Sequence, residues 1–210
     1  MWQHDEGVPS LRDIGQGLGR ISRFAGQTEE WYPVLGHVLT TATIVPPIAA
    51  IYGLMHDAPE SMMSDIPTPW KSPAQRELEH KLYERMCKAY GIPWPIAPEI
   101  QEMVEEADYQ ALLAEAVILR HKNPQGCVRR IEGGDDTEVI GEVPVIDVVA
   151  ELTRHNLSKA QARVGNHALP AYLIPEISRV VFREAFLHFR QKSKDAGLEI
   201  TDPEDETLLV

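Results

Sequence analysis

Apolar residues recur three and four positions apart along most of this chain, and helix-start and helix-stop residues bracket the runs. No other feature restricts the fold as much. A 3.6-residue period puts one apolar stripe on each helix, and each stripe must be buried against another helix. The clearest run lies at residues 72–91. Ser72 suits an N-cap, Pro73 suits the first helical position, and Gln75 completes a capping box. Leu78, Leu82, Met86 and Ala89 share one face, and Gly91 with Pro93 ends the helix.

The same signals organise the rest. Ser10 with Asp13 predicts a helix through roughly Arg23, whose Gly15, Gly17 and Gly19 either weaken it or permit close packing. Val34, Val38, Leu39 and Ala42 predict a helix over 31–45, which Pro46-Pro47 breaks. The next helix carries Ile48, Ile51, Tyr52 and Met55, with His56 and Asp57 at its end. A long helix follows over 98–121. Residues 124–142 read as a loop or small hairpin, and helices are expected near 144–162 and 175–195. In the last of these, Ile177, Val180, Val181, Ala185 and Phe189 form a core stripe. The expected fold is all-α: one domain over 1–198, its motifs within about 10–120, and an acidic flexible tail at 199–210.

Composition excludes several functions. The 210 residues hold 32 Asp+Glu against 20 Lys+Arg, a net charge of −12. Such a surface repels nucleic-acid polymers and anionic membranes. It does not exclude a small anionic ligand, because one bound metal ion reverses the local field. Two cysteines, Cys87 and Cys127, make neither a disulfide framework nor a four-thiolate zinc site. The first residues lack the basic and apolar segments of a signal peptide, and there is no long apolar run, so a cytoplasmic location is expected.

The chemistry concentrates in His56-Asp57-Ala58-Pro59-Glu60-Ser61-Met62-Met63-Ser64-Asp65-Ile66-Pro67-Thr68-Pro69-Trp70-Lys71. Adjacent imidazole and carboxylate groups at a helix end can chelate a divalent ion. His37 and Asp108 are candidates to complete the ligand set. Asp108 sits between Ala107 and Tyr109 near Leu112 and is expected to point towards the core, where a carboxylate is costly unless paired or metal-bound.

Arg23, His37, His56-Asp57, Glu60, Asp65, the Pro67-Thr68-Pro69-Trp70-Lys71 run and Asp108 together resemble the HD-domain metal-dependent phosphohydrolases. The pattern is most similar to bacterial 5′-deoxynucleotidases and to the phage-type group that includes deoxyadenosine triphosphate phosphohydrolases. The resemblance implies an HD-domain helical bundle with one divalent cation (Mn, Co, Mg, Zn or Fe) on His37, His56, Asp57 and Asp108. It implies that Glu60 guides water or protonates the leaving oxygen and that Asp65 holds substrate or polarises water. It further implies that Arg23 and Lys71 clamp phosphate, and that Phe24 disfavours a 2′-hydroxyl. The substrate implied is a small nucleotide, a deoxynucleoside mono- or triphosphate. A homodimer or higher homo-oligomer is expected by analogy, with the stripe at 177–189 as a candidate face.

This chain departs from the family in two places. The family's Glu-His-Ser around the first histidine reads Gly36-His37-Val38 here, which removes a carboxylate and a hydroxyl beside a ligand. Pro59 lies inside the His-Asp string and requires a new helical turn to begin there. Glu115, seven residues after Asp108, falls where the group often has a Glu, but its plainer reading is structural. Two other functions fit less well. An alarmone hydrolase of the guanosine tetraphosphate type tends to place Glu-Asp together after the His-Asp pair, whereas Glu60 here precedes Ser61. A non-catalytic nucleotide-binding scaffold has no need of four intact ligand positions.

Overall fold

A computed structural model describes residues 7–28, 31–67, 70–119 and 177–209. Among these, every regular element is helical and the one β-type contact is an isolated bridge between Ser22 and Pro33. The expectations for 124–142 and for a helix near 144–162 fall outside the described residues, as does Cys127.

The helix α1 (Leu11–Leu18) begins where the sequence predicts, with the Ser10 Oγ accepting the Asp13 N–H at 3.3 Å. It stops a turn earlier than expected, at Gly19. The chain then loops out and returns, fastened by Arg23 N–H to the Tyr32 carbonyl (2.9 Å) and Val34 N–H to the Ile21 carbonyl (3.0 Å). This loop, with a 3-10 turn at Arg23–Gly26, delivers Arg23 and Tyr32 to the start of α2 (Val34–Ile44). Pro46 and Pro47 end α2 as predicted, and a 3-10 turn at Pro47–Ala49 leads into α3 (Ala50–Met55). His56 caps α3, and Pro59 precedes the short α4 (Glu60–Met63), so the proline does open a new helical turn.

In α5 (Pro73–Ala89) both bonds of the capping box form: Gln75 N–H to Ser72 Oγ at 3.3 Å and Ser72 N–H to Gln75 Oε1 at 2.8 Å. Its buried face starts later than the periodicity suggests. Leu82, Met86 and Cys87 are buried, but Leu78 is 43% exposed because the first two turns lie outside the core. The long α6 (Pro98–Leu119) packs on α2 and α3. The last helix, α7 (Ser178–Asp195), packs on α1 and α3 with Val181, Phe182, Ala185, Phe186 and Phe189 buried; Val180, expected in that stripe, faces outward.

Two glycines in α1 set these approaches. A Cβ on Gly15 would fall 2.7 Å from the Phe182 Cβ and 2.9 Å from the Ser178 carbonyl oxygen. One on Gly17 would fall 2.7 Å from the Ser61 carbonyl oxygen. Close packing, not helix weakening, is therefore their role, and Gly17 seats α4 and with it Glu60.

The acidic C-terminal segment, expected to be flexible, lies packed against the helices. Ile200 is buried, Thr201 N–H bonds the Gly91 carbonyl at 3.0 Å, and Arg190 pairs with Asp202 at 2.6 Å. A final 3-10 turn at Glu206–Leu209 brings the Leu209 carbonyl to Arg183 Nε at 2.8 Å. The apolar residues scattered among the acids supply the burial that a charge count misses.

Candidate metal centre

Four side chains from three parts of the fold converge. His37 projects from mid-α2, His56 and Asp57 stand at the end of α3, and Asp108 lies midway along α6. His37 Nε2 lies 2.9 Å from Asp108 Oδ1, 3.2 Å from His56 Nε2 and 3.6 Å from Asp57 Oδ2. His56 Nε2 lies 3.4 Å from Asp57 Oδ2 and 3.7 Å from Asp108 Oδ1. Donors about 2.1 Å from one ion lie about 3.0 Å apart in octahedral geometry and about 3.4 Å apart in tetrahedral geometry. The five separations are of that size.

The outer ring nitrogens decide what the inner ones present. His56 Nδ1 is 2.8 Å from the Gly53 carbonyl oxygen, and His37 Nδ1 is 3.0 Å from Glu115 Oε1. A carbonyl and a carboxylate can only accept, so both Nδ1 atoms donate. With one proton per ring, both Nε2 atoms then turn lone pairs towards each other and towards two carboxylates. Four acceptors in this arrangement repel unless a cation joins them. The same demand raises the affinity of both imidazoles for protons. Burial opposes the charge on each, and Arg23 opposes it on His37. Glu115 and Asp108 outweigh this at His37, as do Asp57 and Asp108 at His56. Burial also works against charge on Asp57 and Asp108, yet the two histidines hold both carboxyls well below the usual range. His37, His56 and Asp108, with Asp57 beside both histidines, thus fit a divalent cation in donor type and spacing.

Asp108 departs from its expected setting. Its side chain is 44% exposed, so it closes the centre from the solvent side instead of pointing into the core. The core face of α6 is carried by Val104, Ala107 and Ala111.

The remaining sequence candidates surround this cluster. Arg23 is buried; its Nη1 is 3.6 Å from Asp57 Oδ2 and its Nη2 donates to Glu115 Oε2 at 3.3 Å. Phe24 lies beneath the Arg23 guanidinium, 5.5 Å from its ring centroid, with a left-handed backbone at φ 55°. Ala25 follows at φ 52°, so two consecutive non-glycine residues hold an unfavourable conformation here. Glu60 is almost fully buried, and its Oε2 has no hydrogen-bond partner. Burial, then Asp57 and Asp65, push its pKa up to about 9 against the opposing charges of Lys71 and Arg23. Asp65 is also raised, by burial and Asp57, with Arg23 and Lys71 opposing. Lys71 donates to Glu79 at 2.7 Å and lies 3.5 Å from Glu60, so its ammonium is already engaged by carboxylates.

Sequence reasoning underrated Glu115 and passed over Tyr32 and Glu79. Glu115 is fully enclosed and accepts from His37, from Tyr32 Oη at 3.1 Å and from Arg23. The carboxylate missing beside His37 in the sequence thus arrives from α6. Gly36 makes room for Tyr32, one of that carboxylate's hydrogen-bond donors: a Cβ there would fall 2.8 Å from the Tyr32 ring. The available signal was the seven-residue spacing of Asp108 and Glu115, two turns along one helix face.

No family model matches the chain. It is 35% identical over 107 residues to the uncharacterized protein YfdR of Escherichia coli (strain K12), covering 50% of this chain and 58% of that protein. It is 29% identical over 118 residues to an uncharacterized protein of Rhodobacter capsulatus, covering 60% of it. The chain therefore spans less than two thirds of the length of these relatives. Among the described residues, no helix is long and apolar enough to cross a membrane.

Proposed function

We propose that this protein is a metal-dependent phosphohydrolase of the HD class acting on small deoxynucleotides. The observation that carries this reading is the cluster of His37, His56, Asp57 and Asp108, with each Nδ1 held by an acceptor and each Nε2 turned towards the two carboxylates. A divalent cation held there supplies Lewis acidity, which makes hydroxide accessible near neutral pH and offsets phosphate charge.

The chain's own residues provide the rest. Glu60, buried and holding its proton to about pH 9 in the absence of a cation, is the group that can deliver a proton to the leaving oxygen. Arg23 offers a planar fork to a phosphate oxygen if the substrate competes with Glu115 and Asp57. For Asp65, within the fields of Arg23, Asp57 and Lys71, the family resemblance supplies the role of orienting substrate or water. Phe24, half-buried beside Arg23, offers no hydrogen-bond partner to a 2′-hydroxyl. The family resemblance supplies the deoxynucleotide, and the net charge of −12 favours a small nucleotide over a polymer.

The test is a screen of deoxynucleoside mono- and triphosphates with metal-stripped protein and added Mn²⁺ or Co²⁺, with products identified. Release of phosphate or tripolyphosphate that returns with metal, and that Asp57→Ala abolishes, supports the assignment. Full activity in that variant overturns it.

A further inference from the structure

Beside the first cluster lies a second one. Asp57, Glu60 and Glu79 present carboxylate oxygens that all lie within 4.8 Å of one another. Asp57 belongs to both groups. Glu60 is 3% exposed, and its Oε2 has no hydrogen-bond partner. Three carboxylates this close, two of them largely buried, need positive charge among them. Arg23 provides it at Asp57, and the Lys71 side chain, itself only 13% exposed, provides it at 2.7 Å from Glu79 Oε1 and 3.5 Å from Glu60 Oε1.

We propose that Asp57, Glu60 and Glu79 form a second cation position adjoining the metal centre, and that the Lys71 ammonium fills it. This rests on the first cluster being a metal centre. In two-metal phosphoryl-transfer sites the ions stand about 3.5–4 Å apart and share a bridging carboxylate between them. Asp57, the carboxylate common to the two clusters, pairs with Arg23 and the two histidines, while Lys71 occupies the Glu60–Glu79 side. Lys71 supplies the second positive charge as a tethered group that cannot dissociate. It also differs from an ion in what it does to Glu60. An ion would draw Glu60 into its coordination shell. Lys71 leans on Glu79, from α5, and reaches only Oε1 of Glu60, leaving Oε2 without a partner. The arrangement thus restricts the centre to one metal. Glu79 is the positioning residue that holds Lys71 in place.

The test is metal stoichiometry after equilibration with Mn²⁺ and removal of free ion. The full chain is expected to hold one Mn²⁺. Lys71→Met, which keeps the length of the side chain and removes the charge, is expected to hold two, with the exchange-broadened electron paramagnetic resonance spectrum of a close Mn²⁺ pair. Adding Glu79→Gln to that variant should return it to one. Lys71→Gln serves if Lys71→Met fails to fold, as judged by circular dichroism. A Lys71 variant that folds and still binds only one ion overturns the proposal, as does a wild-type chain that binds two. A wild-type chain that binds none overturns the first centre instead; in that event an ion gained by Lys71→Met and lost again with Glu79→Gln still supports the second position.

Discussion

His37 and Glu115, 78 positions apart in the chain, meet with Nδ1 3.0 Å from Oε1 at the buried side of the cluster. This contact orients the imidazole of a proposed metal ligand whose immediate neighbours, Gly36 and Val38, offer no polar side chain. Burial opposes the charge on Glu115, but His37 and Arg23 more than offset it and keep the carboxyl ionised. Glu115→Gln preserves the shape and removes the charge. We expect metal affinity to fall about 10–100-fold, measured by chelator competition. Tyr32→Phe, which removes one donor to Glu115, should cost less. Unchanged affinity in Glu115→Gln would show that its role is confined to packing.

Stability of the metal-free protein should fall as pH rises from about 6 to about 9. His37 and His56 have folded-state pKa values above 6.5, so their contribution is complete below 6.5 and is lost as pH climbs through the raised values. Glu60, raised from 4.5 to about 9, acts in the same direction over that window. Asp57 and Asp108 are lowered, and their contribution is lost only in acid, below 3.8. A divalent ion replaces the protons, so the gain in Tm on adding Mn²⁺ should grow with pH. Thermal unfolding with and without metal at three pH values checks this, and a constant gain contradicts it.

Glu60→Gln keeps the size of the side chain and removes the transferable proton. Hydrolysis should fall about 10²–10⁴-fold while Mn²⁺ affinity at the first centre stays near wild type. Activity close to wild type would remove Glu60 from the mechanism.

Phe24 is tested by comparing dAMP with AMP. The φ of 55° makes glycine the fitting replacement, because it accepts that backbone without strain. Phe24→Gly should narrow the preference for the deoxynucleotide while leaving Tm little changed. Equal rates on the two substrates in the wild-type protein would remove the role given to Phe24.

The C-terminal segment is tested through Ile200, which is 7% exposed. Ile200→Ala should destabilise the protein by about 2–5 kcal/mol, read from urea unfolding. A change within about 0.5 kcal/mol would mean that the segment is not held against the helices.

The sequence by itself determined the helical class, the capping box at Ser72–Gln75, the break at Pro46-Pro47 and the grouping of His56, Asp57, Glu60 and Asp65, because periodicity, caps and dipeptides are local properties. It also marked His37 and Asp108 by their residue type and surroundings. Only the tertiary structure decided which atoms meet. It placed Asp108 at the exposed edge of the cluster, replaced the missing neighbour of His37 with Glu115, and engaged Lys71 with Glu79 and Glu60. It also packed Ile200 where the run of acids suggested a free tail. Each of these depends on contacts between segments far apart in the chain. The energy of a buried charge is set by whatever groups the packing brings within a few ångströms, and spacing along one helix does not encode them.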